Sequence, residues 1–230
     1  SFAWTSDYTA PTTSMNLSST AQYLSTMTYL DGTHSDGSTN NSGTSAVYLR
    51  LLRGDGLYWS GSSWTSSGAP EVWFSTGVHT SSWTYIINNP SSMFTNQQSY
   101  ALNVRGLDKA GNYETGFSTR TFYWDVVSPT ATITSLSDNS YVASAPNIQG
   151  TSVDDFALVN SVEINIKKNG SPNKWWYPDV SDWAIGGPFW ISVSTNSSNP
   201  SPYDSWYYNT TTAGIVWSTG TYQIVVRAKD

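Results

Sequence analysis

The side chains able to do chemistry here are few in kind. Of 230 residues, 16 are Asp or Glu, 10 are Lys or Arg, two are His and none is Cys. General acid-base or nucleophilic catalysis needs a titratable group held beside a partner. His34 and His79 offer little of that: they read as surface loop residues, and no Gly-x-Ser-x-Gly element accompanies the many serines. No enzymatic activity is expected. The acids are the better prospect, because Asp and Asn oxygens are the ligands of hard cations, and calcium takes six to eight of them. The competing role of Asp and Asn is ordinary turn formation through hydrogen bonds to their own backbone. Twelve tryptophans are the third possibility. Trp59, Trp64, Trp73, Trp175, Trp176 and Trp183 would bind carbohydrate if they lay flat and exposed in one row. Their alternative use is to pack long connections onto a core.

The frame that positions these residues is a repeat. "DGTHSDG", ending at Gly37, falls on "QGTSVDD", ending at Asp155, so that Gly32, Thr33 and Asp36 coincide with Gly150, Thr151 and Asp154. At nearly the same offset, "SAVYLRLLR" matches "NSVEINIKK", Trp83 matches Trp206, and "YALNVRGLD" matches "YQIVVRAKD". Upstream, "FAW" at Phe2 aligns with "FYW" at Phe122. The expected organisation is residues 1–7 as the end of a preceding repeat or linker, 8–127 as repeat 1 and 128–230 as repeat 2. The front carries neither an initiator Met nor a signal peptide, so a piece of a longer protein is expected.

Each repeat reads as strands. Val162, Ile164 and Ile166 alternate with Glu163, Asn165 and Lys167, the period of two of a sheet with one buried face. Clusters such as "DGSTNNSG" and "SSNPSP" punctuate the chain, and about seven strands per copy predict a sandwich. Hydrophobic residues at 38% and aromatics at 15% exclude disorder of low-complexity type. A net charge of -6 excludes a nucleic-acid footprint, and no apolar run reaches the length of a membrane span. The cysteine-free, Ser/Thr/Asn-rich surface suits the exterior of a bacterium.

The order "SPTATI", "GTSVD", "SVEINI" and "YQIVVRAKD", with "DKAGN" closing the first copy, resembles the bacterial Ig-like (Big-type) tandem repeats of large surface proteins and adhesins. The resemblance implies an all-β chain of two immunoglobulin-like β-sandwich domains, the second lacking its last strand. By it, Tyr100–Asp108 is strand F and Phe117–Val127 is strand G. Tyr100 and Tyr222 open strand F as a tyrosine corner, with Leu102 and Ile224 in the place of the usual cysteine. It also gathers acids at one end of each sandwich: Asp36, Asp108 and Asn112 with Asp7, and Asp154, Asp155 and Asp230 with Asp125. Calcium is the candidate cation there, although no cofactor is required.

The expected function is a structural segment of a long extracellular repeat protein, whether fibre, stalk, sheath or adhesin shaft. The alternative is a tandem carbohydrate-binding module. Expected partners are neighbouring copies, joined head to tail, and surface glycans. Assembly would pair Phe2, Ala3, Trp4 and Thr5 of one copy with the edge formed by Tyr222, Ile224 and Val226 of another, or residues of a longer chain would fill that edge. Sequons at Asn16, Asn40, Asn196 and Asn209 mark potential glycosylation.

Overall fold

A computed structural model of the chain describes residues 2–37, 41–145, 147–195 and 203–230. The chain divides into two compact units, Ser1–Val126 and Val127–Asp230. In the first, the strands are β1 (Thr12–Met15), β2 (Gln22–Leu24), β3 (Tyr29–Ser35), β4 (Thr44–Arg53), β5 (Phe74–Ser75), β6 (Gly77–Val78), β7 (Ser82–Ile86), β8 (Gln98–Asp108) and β9 (Thr119–Trp124). They form two sheets, β1-β3-β7-β6 and β2-β9-β8-β4-β5. All pairs are antiparallel except β2 with β9. Alternation decides which residues face inward: Val47, Leu49 and Leu51 of β4 and Leu102 and Val104 of β8 are buried between the sheets, while Tyr48, Arg50 and Arg105 face outward. A single short helix, Pro90–Met93, is found among the described residues.

The second unit repeats this plan with β10 (Thr130–Ile133), β11 (Asn147–Val153), β12 (Ser161–Lys168), β13 (Lys174–Tyr177), β14 (Asp182–Ala184), β15 (Ile191–Ser192), β16 (Ser194–Thr195), β17 (Trp206–Asn209) and β18 (Tyr222–Lys229). One sheet is β10-β11-β17-β16; in the other, β12 carries β13 and β15 on one edge and β18 on the other. The molecule is thus all-β, with two tandem Ig-like sandwiches. Among the described residues each has nine strands rather than seven: the connections after β4 and β12 supply short strands of their own, and in the first unit the short β2 precedes β3.

The copies differ at one edge. β8 is flanked by β4 and β9, whereas β18 pairs with β12 alone among the described residues. Leu102 and Val104 are 0% exposed, but their counterparts Ile224 and Val226 are only half-buried and Val225 is 41% exposed. Phe2–Thr5 forms no strand in the first unit, and Phe2 and Trp4 are exposed.

Both tyrosine corners are formed. Tyr100 Oη accepts the Thr95 N–H at 2.6 Å, and Tyr222 Oη accepts the Ser218 N–H at 3.1 Å and donates to Ser218 O at 2.9 Å. The "GT" signature also has a structural meaning: Gly32 lies opposite Trp83 in the β3–β7 register, and Gly150 lies opposite Trp206 in the β11–β17 register. Each indole lies across the glycine backbone where a Cβ would stand.

His34 is a buried residue of β3, not a surface loop residue: its ring contacts Thr44 Oγ1 at 3.0 Å and His79 O at 2.9 Å. A polar ring on an inward-facing position is tolerated because both of its nitrogens are engaged. His79 is exposed.

Candidate metal centre

Three loops converge at one end of the first sandwich. Asp7 precedes β1, Asp36 follows β3 directly, and Asp108 is the last residue of β8. Each is anchored by backbone. Asp7 Oδ1 accepts the Thr9 N–H at 2.9 Å, the turn geometry natural to Asp, and its Oδ2 reaches the Ser42 N–H at 2.6 Å. Asp36 Oδ2 accepts the Gly43 N–H at 2.6 Å. Asp108 takes the Asn112 N–H at 2.8 Å and its Nδ2–H at 2.7 Å, and the same amide donates to Asp7 O at 3.1 Å. Asn112 therefore braces two members of the cluster through its donors.

The outcome is three carboxylates with oxygens all within 4.8 Å of one another. None is ion-paired among the described residues. Asp36 Oδ1 is buried without any hydrogen-bond partner, a costly position for a carboxylate oxygen. Burial, together with the charges of Asp7 and Asp108, pushes the Asp36 carboxyl above its ordinary range against the opposing Gly43 N–H. Asp7 is held below its ordinary value by the Thr9 and Ser42 N–H groups. Burial works against Asp108 ionising, but the Asn112 and Gly111 donors overcome it and lower its pKa. An all-oxygen set that leaves one buried lone pair unanswered fits a hard divalent cation such as calcium, with backbone carbonyls or water completing its shell.

Asp125 follows β9, and its N–H donates to Leu24 O at 3.0 Å. In the second unit, Asp154 Oδ1 accepts the Phe156 and Ala157 N–H groups at 2.8 and 2.7 Å. Its Oδ2 is buried and unpartnered, and its carboxylate lies within 4.8 Å of that of Asp230. Asp155 is exposed and stands outside this pair.

The six tryptophans do not make one row. Trp59 and Trp176 belong to the two cores. Trp64 packs edge-on against Trp59 and beneath Arg53, and Trp183 packs edge-on against Trp176. Trp175 and Trp176 are adjacent on β13, so the pleat sends them to opposite faces. Trp73 lies on the outer face of the first sandwich beside Arg105. Among the sequons, Asn16 is exposed and donates to Asp31 Oδ2 at 2.7 Å, and Asn209 is half-buried in β17 with its Oδ1 accepting the Thr212 N–H. Asn40 and Asn196 lie outside the described residues.

No protein-family model matches the chain. No curated protein matches it by sequence. Among solved structures it is similar to the FN1–FN3 domains of chicken CNTN1, at 11% identity and a TM-score of 0.40, covering 96% of this chain and 61% of that one. It is also similar to the fibronectin(III)-like modules of Clostridium thermocellum CbhA, at 13% identity and a TM-score of 0.38 over 94% and 85% of the two chains. A third is a 1.5-MDa bacterial ice-binding adhesin studied for host cell surface retention, at 14% identity and a TM-score of 0.33 over 87% and 55%.

Proposed function

We propose that the chain is a structural segment of a long extracellular bacterial repeat protein of the Ig-like kind, a fibre, stalk, sheath or adhesin shaft in which sandwich follows sandwich head to tail. The observation that carries this reading is the repetition itself: two sandwiches of one strand plan follow each other along the chain, Gly32–Trp83 of the first being answered by Gly150–Trp206 of the second. Among the described residues β18 pairs with β12 alone, whereas β8 of the first copy also pairs with β9. An edge with unpaired N–H and C=O groups and half-buried apolar residues is a template for another strand. In the first copy the covering strand inserts Phe122 and Trp124, both buried. The segment Phe2–Trp4 carries the same Phe-x-Trp spacing and is exposed, so a second copy or a continuing chain has the chemistry to fill the edge. Heterologous joints of this type generate open filaments. The role is mechanical rather than catalytic.

Calcium belongs to the same reading. Bound by Asp7, Asp36 and Asp108, it would tie the lead-in segment before β1 to the β3–β4 loop and the end of β8, stiffening the approach to the sandwich.

The test is to append a second copy of Lys109–Val127 after Asp230. The second unit is expected to melt more than about 10 °C higher, since burying even one aromatic contributes about 3–5 kcal/mol. Its binding of an apolar dye is expected to fall. An appended strand that changes neither property, or one that works equally well with Asp at both aromatic positions, would defeat the reading. The alternative of a tandem carbohydrate module loses Trp59 and Trp176 to the cores and retains aromatic surfaces outside them, among them Trp73 on the first sandwich.

A further inference from the structure

The Trp73 surface lies on the outer face of β4 and β8, where Tyr48 stands directly opposite Arg105. The same register position in the second sandwich holds Glu163 opposite Arg227. There the guanidinium is neutralised within the chain: Arg227 Nε donates to Glu163 Oε2 at 2.8 Å while the cation lies 3.9 Å from the centre of the Trp190 ring. Lys229 Nζ adds a second contact to Glu163 at 3.2 Å.

The first sandwich keeps the stacked cation and lacks the carboxylate. Arg105 lies 4.0 Å from the Trp73 ring centre, 4.7 Å from Tyr113 and 6.0 Å from Tyr48. Its Nε is buried and has no hydrogen-bond partner, and it forms no ion pair among the described residues. The acids nearby are committed elsewhere. Glu71 pairs with Arg50 at 2.7 Å and accepts the Trp73 indole N–H. Glu114 accepts the Thr13 N–H and hydroxyl and the Gly106 N–H. Tyr113 is 44% exposed, which leaves an aromatic face open beside the cation.

A guanidinium flattened between rings offers its planar fork to a carboxylate, and its weak hydration makes the exchange of water for an anion favourable. The repeat itself shows what fills the position, since Glu163 places a carboxylate on the equivalent Arg227. We propose that Arg105, Trp73 and Tyr113 form a binding site for a carboxylated sugar of the uronic acid class. Its carboxylate answers the Arg105 guanidinium as Glu163 answers Arg227, beside the Tyr48 ring rather than in its place, and its sugar ring stacks on Tyr113. This gives the segment a glycan contact beyond its structural role, and it does not depend on the edge of β18 or on calcium.

The probe is sodium galacturonate, titrated against the whole chain at constant ionic strength while the Arg105 Nε–H and Trp73 Nε1–H resonances are followed. A saturable shift with millimolar affinity is expected, as are much weaker responses to galactose and to acetate. Tyr48→Glu recreates the internal pair of the second sandwich and is expected to weaken galacturonate binding at least tenfold while the melting temperature holds. Arg105→Lys keeps the charge without the fork and is expected to bind measurably more weakly than the parent. The proposal is overturned by the absence of a saturable shift, by equal affinity for acetate or for galactose, or by unchanged binding in a folded Tyr48→Glu chain.

Discussion

Replacing Gly32 with alanine is expected to lower the melting temperature of the first sandwich by more than 10 °C. The cause is contact, since the backbone there is extended rather than left-handed. A methyl group at this position would stand 1.9 Å from Ser14 O and 2.7 Å from Trp83 Nε1. Neither neighbour can retreat. Ser14 is paired with β3, and the fully buried Trp83 donates its indole N–H to Ser14 O at 3.0 Å. Overpacking costs about 1–3 kcal/mol when side chains can shift, and a clash with a paired backbone lies at or above the upper end of that range. Trp83→Ala removes the partner instead and is expected to cost about 3–5 kcal/mol. Against a typical total stability of about 5–15 kcal/mol, either change leaves a marginal domain. Gly150→Ala should act alike in the second sandwich, where the added carbon would stand 2.0 Å from Thr132 O and 2.2 Å from Trp206 Cζ2. Gly116, which has open space around its Cβ direction, is the control and is expected to change stability by no more than about 0.5 kcal/mol on substitution. Near-ultraviolet circular dichroism melts of the variants measure this; a Gly32→Ala chain as stable as the control shows the indole packing to be dispensable.

Calcium at a hundredfold excess over its dissociation constant is expected to raise the melting temperature of the first sandwich by about 10 °C, the equivalent of about 2.7 kcal/mol. Asp36→Asn separates the site from mere turn formation. Removing a buried charge that faces Asp7 and Asp108 is expected to stabilise the calcium-free protein and to abolish the calcium response. Asp36 as a turn residue alone would instead lose stability on substitution and show no calcium response in the parent. The pH dependence has a definite sign. Asp36 has its folded pKa raised above the ordinary 3.8, so its burden on the folded state is present at neutral pH and relieved as pH falls through the raised value. Asp7 and Asp108 are lowered, so their stabilisation is present above 3.8 and lost only as pH falls through their still lower folded values. Between neutral pH and about 4, the calcium-free protein should therefore gain from Asp36 while the calcium increment shrinks, because proton and cation compete for one carboxylate. Melting curves with calcium and with chelator across this range decide it. Identical curves at every pH would remove the metal centre.

The sequence by itself determined what is local or repeated. Period-two alternation in "SVEINIKK" and "YQIVVRAKD" is a property of single strands, and it placed Val162, Ile164 and Ile166 in the core. The tyrosine at the head of strand F finds its partner a few residues upstream, so Tyr100 and Tyr222 were legible without a fold. Asp7, Asp36 and Asp108 were legible once the Ig-like order was seen, because that order brings their loops to one end. What depends on pairing between distant segments was decided only by the tertiary structure. His34 became buried because Thr44 and His79 come to its ring from other parts of the chain. Trp59 and Trp176 became core, while Trp73 stayed on the outer face, according to how the short strands after β4 and β12 fold back. The unneutralised Arg105 emerged from register alone: Tyr48 and Glu163 differ unremarkably in the sequence, and only the antiparallel pairing sets each of them across from an arginine.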